Sequence, residues 1–466
     1  MSDYYEQHTL ARWLALASIC IATFLVPLSM SAVNLALPAI AEALQADAVL
    51  LSWVPTSNLL GSMVLMLPAA RVADIVGRKK VYLIGVLTFS ATSLMVIWVE
   101  TIEWLLVSRV LQGLASAMVF GTGMAIVTSV FSSKNRGTAL GFTATSVYLG
   151  LTCGPMIGGW LTDELGWRAV FWAPVPFALL AVVLVMLNVK GDYKSESPQK
   201  LDWLGSALFA LWISAFFIGL SGLPDLNYAG LLVLGAGLLY LFIRQQANAP
   251  FPLIRLRALA DNKVFSRSIL SALFMYGAHY PVLFLMSLYL QYLQGMSPTE
   301  SGQLVLAQAL TMACLAPFAG RLSDRYEPRL LATAGCLLYG VGFVLLLGLD
   351  GESSTEYVLL AMMVLGFGFG LFSTPNNNAA MSSVPPDRLS IGSALLNLSR
   401  TMGNMFSMTL VVLLVNLVMG SAEITPEQYP ALLLVIRIAF ALSLVYTLIA
   451  AYNSYMRGNI RGNVRS

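Results

Sequence analysis

Acidic side chains are missing where this chain is most apolar. Every one of the 23 Asp and Glu residues can be placed in a connection or a tail, and the long apolar segments need none of them. Charge of either sign is scarce: 11% of residues are charged, where a soluble domain carries about 25%. That excludes an ordinary soluble domain. A net charge of +3 gives nucleic-acid binding no support. The four cysteines (Cys20, Cys153, Cys314, Cys336) all fall inside apolar segments without disulfide or metal-ligand spacing, as expected of small core residues. No metal or cofactor site is expected. Nor is there a nucleophile–base constellation or phosphate-binding loop, so an enzyme is not expected. The polar start, MSDYYEQHTLARW, leads into a long apolar run with no small-residue cleavage site, which reads as an uncleaved first helix.

What is present is hydrophobic length. The 466 residues are 58% hydrophobic, with mean hydropathy +0.77. Apolar stretches of about 20 residues recur, each able to cross a hydrocarbon layer of about 30 Å. The pattern predicts an all-α integral membrane protein with fourteen helices near 12–36, 48–70, 80–99, 103–128, 138–162, 167–188, 203–221, 226–245, 265–292, 300–319, 330–349, 356–376, 390–418 and 430–453. All but four of the 26 Lys and Arg (Arg109, Arg168, Arg400 and Arg437) then lie in the tails and the even-numbered connections. The positive-inside rule makes that side cytoplasmic, with both termini on it, in a multi-pass protein of the cell (inner) membrane.

Two short segments resemble each other. One runs from Ala70 to Lys79 around Asp74, after helix 2; the other runs from Gly320 to Tyr326 around Asp324, after helix 10. Their placement predicts two six-helix halves, 1–190 and 263–466, separated by a linker and two inserted helices in 191–262. In transporters built from repeats the binding site lies at the repeat interface.

Certain intramembrane residues stand out. Gly150, Gly154 and Gly158 share one helix face that admits close backbone approach, and Pro155 favours a bend beside them; tight packing and a hinge are compatible readings. Arg109 is costly inside a membrane, roughly 2.5–3.5 kcal/mol on insertion scales. With no buried acid, its partners must be amide or hydroxyl oxygens, main-chain carbonyls, water or an anionic ligand, and Gln112 is on its face. A structural hydrogen-bond hub is the alternative to a functional role. Arg400 lies mid-helix between Asn397 and Asn404, as an anion-attracting or a structural residue. His279 is the one intramembrane side chain that titrates near neutrality when unperturbed; it reads as a hydrogen-bonded core residue or as the best available proton carrier. Ser29, Asn34, Asn58, Tyr148, Tyr276, Gln308, Asn376 and Asn377 complete the polar cavity candidates.

Four motifs in order resemble the major facilitator superfamily, and the fourteen-helix count resembles its drug/proton antiporter branch. They are the Asp74-x-x-Gly77-Arg78-Lys79 loop, Arg109-x-x-Gln112-Gly113, Gly150-x-x-x-Gly154-Pro155-x-x-Gly158-Gly159, and Asn34-x-Ala36-Leu37-Pro38. The resemblance implies alternating-access export of an amphipathic small molecule with proton antiport, and membrane lipid as surroundings; a monomer is expected. It makes Asp74, Gly77, Arg78 and Lys79, with Asp324 and Arg325 in the second loop, a conformational latch bracing helix 2 against helix 13. It gives Arg109 a part in proton movement. The branch commonly has an acid five residues before the helix 1 Asn; here that position is Ser29. A neutral or anionic substrate is therefore favoured. Uncoupled or differently coupled transport, including uptake or lipid translocation, and a non-transporting receptor or scaffold are the alternatives.

Overall fold

The computed structural model describes residues 8–131, 133–191, 200–253, 262–384, 389–420 and 424–459. Every predicted segment overlaps a helix: α1 Thr9–Leu44, α2 Ala48–Val76, α3 Arg78–Met95, α4 Ile102–Val130, α5 Ser133–Leu165, α6 Val175–Asn188, α7 Trp203–Ser221, α8 Leu226–Asn248, α9 Lys263–Leu288, α10 Pro298–Arg325, α11 Pro328–Leu347, α12 Thr355–Ser382, α13 Leu389–Val418 and α14 Tyr429–Met456; the segment expected at 167–188 is broken, a short helical turn Ala169–Trp172 preceding α6. No strand occurs among the described residues. This is the expected response to lipid, where backbone polar groups must be satisfied within the segment. Among the described residues twelve helices are long and apolar enough to cross a membrane. The other two are α5, rich in Gly, Ser and Thr, and α10, which carries Gln303 and Gln308.

Local chemistry sets the helix ends. Ser297 and Glu300 form a reciprocal capping box at the start of α10, with Pro298 in its first turn. Asn262 caps α9 by accepting from the Phe265 amide at 3.0 Å. Gly77 separates α2 from α3 at φ +126°, a backbone conformation that only glycine adopts without strain.

The contacts divide the chain into two compact units. The first is Met1–Ala46, Leu50–Gly219 and Gly230–Leu253; the second is Asp47–Val49, Leu220–Ala229 and Ile254–Ser466. In unit 1, α1 packs on α4, α5 and α6, and α3 packs on α4 and α6. Its core contains Leu16, Ile19, Tyr82, Phe89, Ile126 and Val182, and the buried Tyr82 hydroxyl donates to the Ser18 carbonyl at 3.1 Å. In unit 2, α9 packs on α12, α13 and α14, and α11 packs on α12 and α14. Shifting the helix number by eight turns these pairings of α1, α3, α4, α5 and α6 into those of α9, α11, α12, α13 and α14. Glycines serve them in parallel. Gly150, Gly154 and Gly158 of α5 lie against Phe24, Leu28 and Ala32 of α1, while Gly403 of α13 lies against Leu273 and Gly277 of α9.

Helices α7 and α8 form a hairpin. Phe209 meets Phe242 at 5.4 Å, and Gly235 lies against the Phe216 backbone. Asp202 closes the base, accepting from Gln245 at 2.9 Å and Gln246 at 2.7 Å. Helix α8 is the least buried span, 11% of its apolar window. Exposed Leu187, Val233, Phe177 and Trp98 are of the kind that face lipid.

Candidate functional site

In unit 1 the site is built around Arg109. Its side chain is 1% exposed. Nε donates to the Val54 carbonyl of α2 at 3.1 Å, and Nη1 donates to Gln112 Oε1 at 2.7 Å. Gln112 Nε2 passes the chain on to Ser93 Oγ of α3 at 3.1 Å. Asn58 Nδ2 returns a bond from α2 to the Arg109 carbonyl at 3.3 Å. The guanidinium also lies 5.9 Å from the Phe171 ring centroid. Gly61 and Gly113 permit this, because a side chain on either would strike the facing backbone of α4 or α2. One guanidinium thus ties α2, α3 and α4 through neutral oxygens, the arrangement left open to a buried Arg when carboxylates are absent.

The other unit 1 candidates lie apart from this network or outside view. Asn34 Nδ2 donates within its own helix to the Met30 carbonyl at 3.1 Å. Ser29 Oγ is buried and lacks a hydrogen-bond partner among the described residues. The Tyr148 side chain lies outside the described residues. At the α2–α3 turn, Arg78 pairs with Asp74 at 3.0 Å and donates to Ser129 Oγ of α4 at 3.3 Å. Lys79 donates to the Val189 and Met186 carbonyls past and at the end of α6. Arg71 donates to the Pro252 carbonyl at 2.9 Å. In the second loop the Asp324 side chain lies outside the described residues, Arg325 is exposed, and Ser323 Oγ accepts from Asn378 at 2.6 Å.

Unit 2 holds a continuous aromatic and polar cluster. His279 of α9 stacks on Phe369 of α12, with centroids 4.0 Å apart and planes at 26°. Its Nδ1 is 2.9 Å from the Tyr339 hydroxyl of α11 and 3.4 Å from Gln308 Nε2 of α10. A neutral imidazole with its proton on Nε2 fits this surround, since Nδ1 then accepts from both donors. Tyr276, one turn earlier, meets Phe369 edge-on at 5.2 Å, and its hydroxyl is 3.3 Å from Ser373 Oγ. Arg400 of α13 lies 4.9 Å from the Tyr276 ring centroid and donates to Asn377 of α12, with Asn397 a longer contact at 3.4 Å. Five helices therefore contribute to one cation–aromatic–imidazole chain.

Asn376 does not join it. Its Oδ1 accepts from Arg457 at 2.9 Å and its Nδ2 donates to the Ser268 carbonyl at 3.2 Å, so its neighbour Asn377 is the α12 amide facing Arg400. Adjacent helical residues point about 100° apart, which decides the matter. Tyr339, Phe369 and Ser93 are participants that sequence reasoning left out. The signal lay in glycine: Gly335 and Gly368 bring α11 and α12 so close that a side chain on Gly368 would strike the Tyr339 backbone.

Comparisons with known proteins bear on the family and the fold. The riboflavin transporter RibZ of Clostridioides difficile is 28% identical over 404 residues, covering 85% of this chain and 87% of that protein. The multidrug resistance protein Stp of Mycobacterium tuberculosis is 28% identical over 397 residues, covering 84% and 73%. Among solved structures, a bacterial homologue of the human lysosomal transporter Spinster, inward-facing and unoccupied, matches with TM-score 0.71 at 17% identity over 96% of this chain and 97% of that one. The peptide transporter POT in complex with sulfate matches with TM-score 0.70 at 15% identity over 95% and 96%; at such identities the fold is what is shared. The family profile described as Major Facilitator Superfamily matches residues 19–408, and the chain belongs to that superfamily, as a membrane transporter and not an enzyme.

Proposed function

We propose that this transporter exports an amphipathic, largely aromatic organic molecule, neutral or anionic, by alternating access coupled to proton entry. The observation that carries the reading is the charge inventory of the spans. Arg109 and Arg400 are held by neutral partners, and acids sit at helix ends and connections. A multiply cationic ligand would meet like charge without a compensating carboxylate, which is unfavourable in a low dielectric. Aromatic faces beside Arg400 suit a planar ligand. The relatives named for riboflavin transport and multidrug resistance support small organic cargo. The basic connections support a cell-membrane orientation with both termini cytoplasmic, a monomer being sufficient for the cycle.

The test is flux into inside-out vesicles from cells producing the protein, with riboflavin, its phosphate ester and a planar cationic dye. Proton-driven accumulation of the first two, but not of the dye, is expected. Accumulation of the dye alone would contradict the substrate reading.

A second reading, transport without a side-chain proton carrier, is favoured by the neutral hydrogen-bonding surround of His279. His279→Gln separates the two. Loss of the pH dependence of flux assigns the proton to His279, and an unchanged pH profile favours the second reading.

The Asp74 loop is the proposed latch. Its Asp74–Arg78 pair is partly exposed, 30% and 28%, and such pairs contribute under about 1 kcal/mol to stability. Asp74→Asn is therefore expected to leave folded protein nearly unchanged while turnover falls by about tenfold, as for loss of one charge-assisted contact in a single state of the cycle. Initial rates normalised to folded protein check this, and wild-type turnover would remove the latch role.

A further inference from the structure

We propose that the joined ends of α9, α11 and α14 form a binding site for the headgroup of an anionic phospholipid. Three guanidiniums gather there. Arg267 of α9 donates to Asn453 Oδ1 of α14 at 2.8 Å and lies 5.8 Å from the Tyr452 ring centroid. Arg329 of α11 lies 5.0 Å from the Tyr455 ring centroid. Arg457, just past the end of α14, sits behind them, 1% exposed, and donates to Ser268 Oγ, Asn376 Oδ1 and Ser454 Oγ. Burial lowers Arg457 to about 10, so it stays cationic at neutral pH. Glu327, at the N-cap position of α11, is the acid whose field reaches it, and three cations outnumber it.

The surroundings point to lipid. Tyr452 and Tyr455, three residues apart on one face of α14, are 56% and 52% exposed, and Leu448, Leu330 and Leu270 on the three helices are also exposed. Apolar side chains with tyrosines at a helix end mark the bilayer–water boundary. Basic pockets between membrane helices at that boundary take anionic headgroups. Arg267 and Arg329 each lie within cation–π distance of a tyrosine ring, and a guanidinium is a planar fork that grips a phosphodiester with two N–H groups. Arg329 Nε is buried without an acceptor among the described residues. The N-termini of α9 and α11 add their positive dipole ends.

The site is independent of what the protein transports, and binding tests it directly. Purified protein in neutral detergent is titrated with palmitoyl-oleoyl phosphatidylglycerol and with phosphatidylcholine of the same chains, and bound lipid is read by native mass spectrometry. The expected result is a phosphatidylglycerol preference of about tenfold or more that R267Q/R329Q removes and the charge-matched R244Q/K200Q retains. Unchanged preference in R267Q/R329Q, or equal loss in R244Q/K200Q, overturns the proposal. So does displacement of bound phosphatidylglycerol by millimolar inorganic phosphate. If R267Q/R329Q does not fold, R267K/R329K keeps the charge and removes the planar fork; full wild-type affinity in it overturns the site as described.

Discussion

Replacing Gly154 by Leu is expected to abolish transport and to destabilise the N-terminal bundle by more than about 3 kcal/mol, the upper end of what overpacking ordinarily costs. The first added carbon would fall on Ser31 Oγ and within 2.9 Å of the Leu28 carbonyl. Neither can move freely: Ser31 Oγ is bonded to the Pro27 carbonyl at 3.0 Å, and Leu28 is helix backbone. Four residues either side, Gly150 and Gly158 meet the α1 backbone at Phe24 and Ala32 in the same way. The seam cannot open at one of these three contacts without disturbing the other two, since all lie within little more than about two turns of α5. Gly237→Ala in α8 is the matched control. Nothing lies within 4 Å of its added carbon, and a mid-helix Gly→Ala gains roughly 0.5–1 kcal/mol. Thermal unfolding of the two variants in one detergent, with flux per folded molecule, checks both expectations. Near-wild-type flux in Gly154→Leu would remove close approach of α1 and α5 from the account.

Arg109→Lys should be nearly as damaging, although it conserves charge. The guanidinium donates in two directions at once, to the Val54 carbonyl and to Gln112 Oε1. An ammonium is a compact, strongly hydrated point charge that cannot span that fork. Each buried acceptor left without its donor costs about 1–3 kcal/mol, and Gln112 would lose its orientation toward Ser93. Transport is expected to fall at least tenfold in Arg109→Lys. Gln112→Ala should cost less, because the Val54 bond survives. The two single variants and the double variant, compared by flux and by melting temperature, measure the coupling: the double variant should lose less than the sum of the singles. Strict additivity would show that Arg109 and Gln112 act separately.

The helices were legible because length and apolarity are properties of a run, and a membrane leaves the backbone little choice within it. Pro27, Pro38, Pro55 and Pro155 sit inside long helices, where a soluble-protein reading would have broken them. The glycine spacing of α5 was legible as a face, but its partner was not; α1 supplies Phe24, Leu28 and Ala32, and only tertiary packing names them. Arg109 could be assigned neutral partners by elimination, and Gln112 by spacing, whereas Val54 and Ser93 belong to other helices and carry no motif. Asn376 and Asn377 show the limit of phase. Both are amides in mid-chain, yet one binds Arg457 and the other Arg400, and composition cannot say which way a helix is rotated. Tyr339 and Phe369 escaped notice because an aromatic in a membrane helix is ordinarily filler; stacking and a hydrogen bond to His279 distinguish them.

The most direct test of the acid-free interior is collapse of an imposed pH gradient in proteoliposomes, read with matched cationic, neutral and anionic aromatic amphipaths. Collapse with the neutral and anionic compounds, and none with the cation, is the predicted result. Collapse driven by the cation alone would contradict it, and would mean that a carboxylate reaches the substrate from a connection or a helix end.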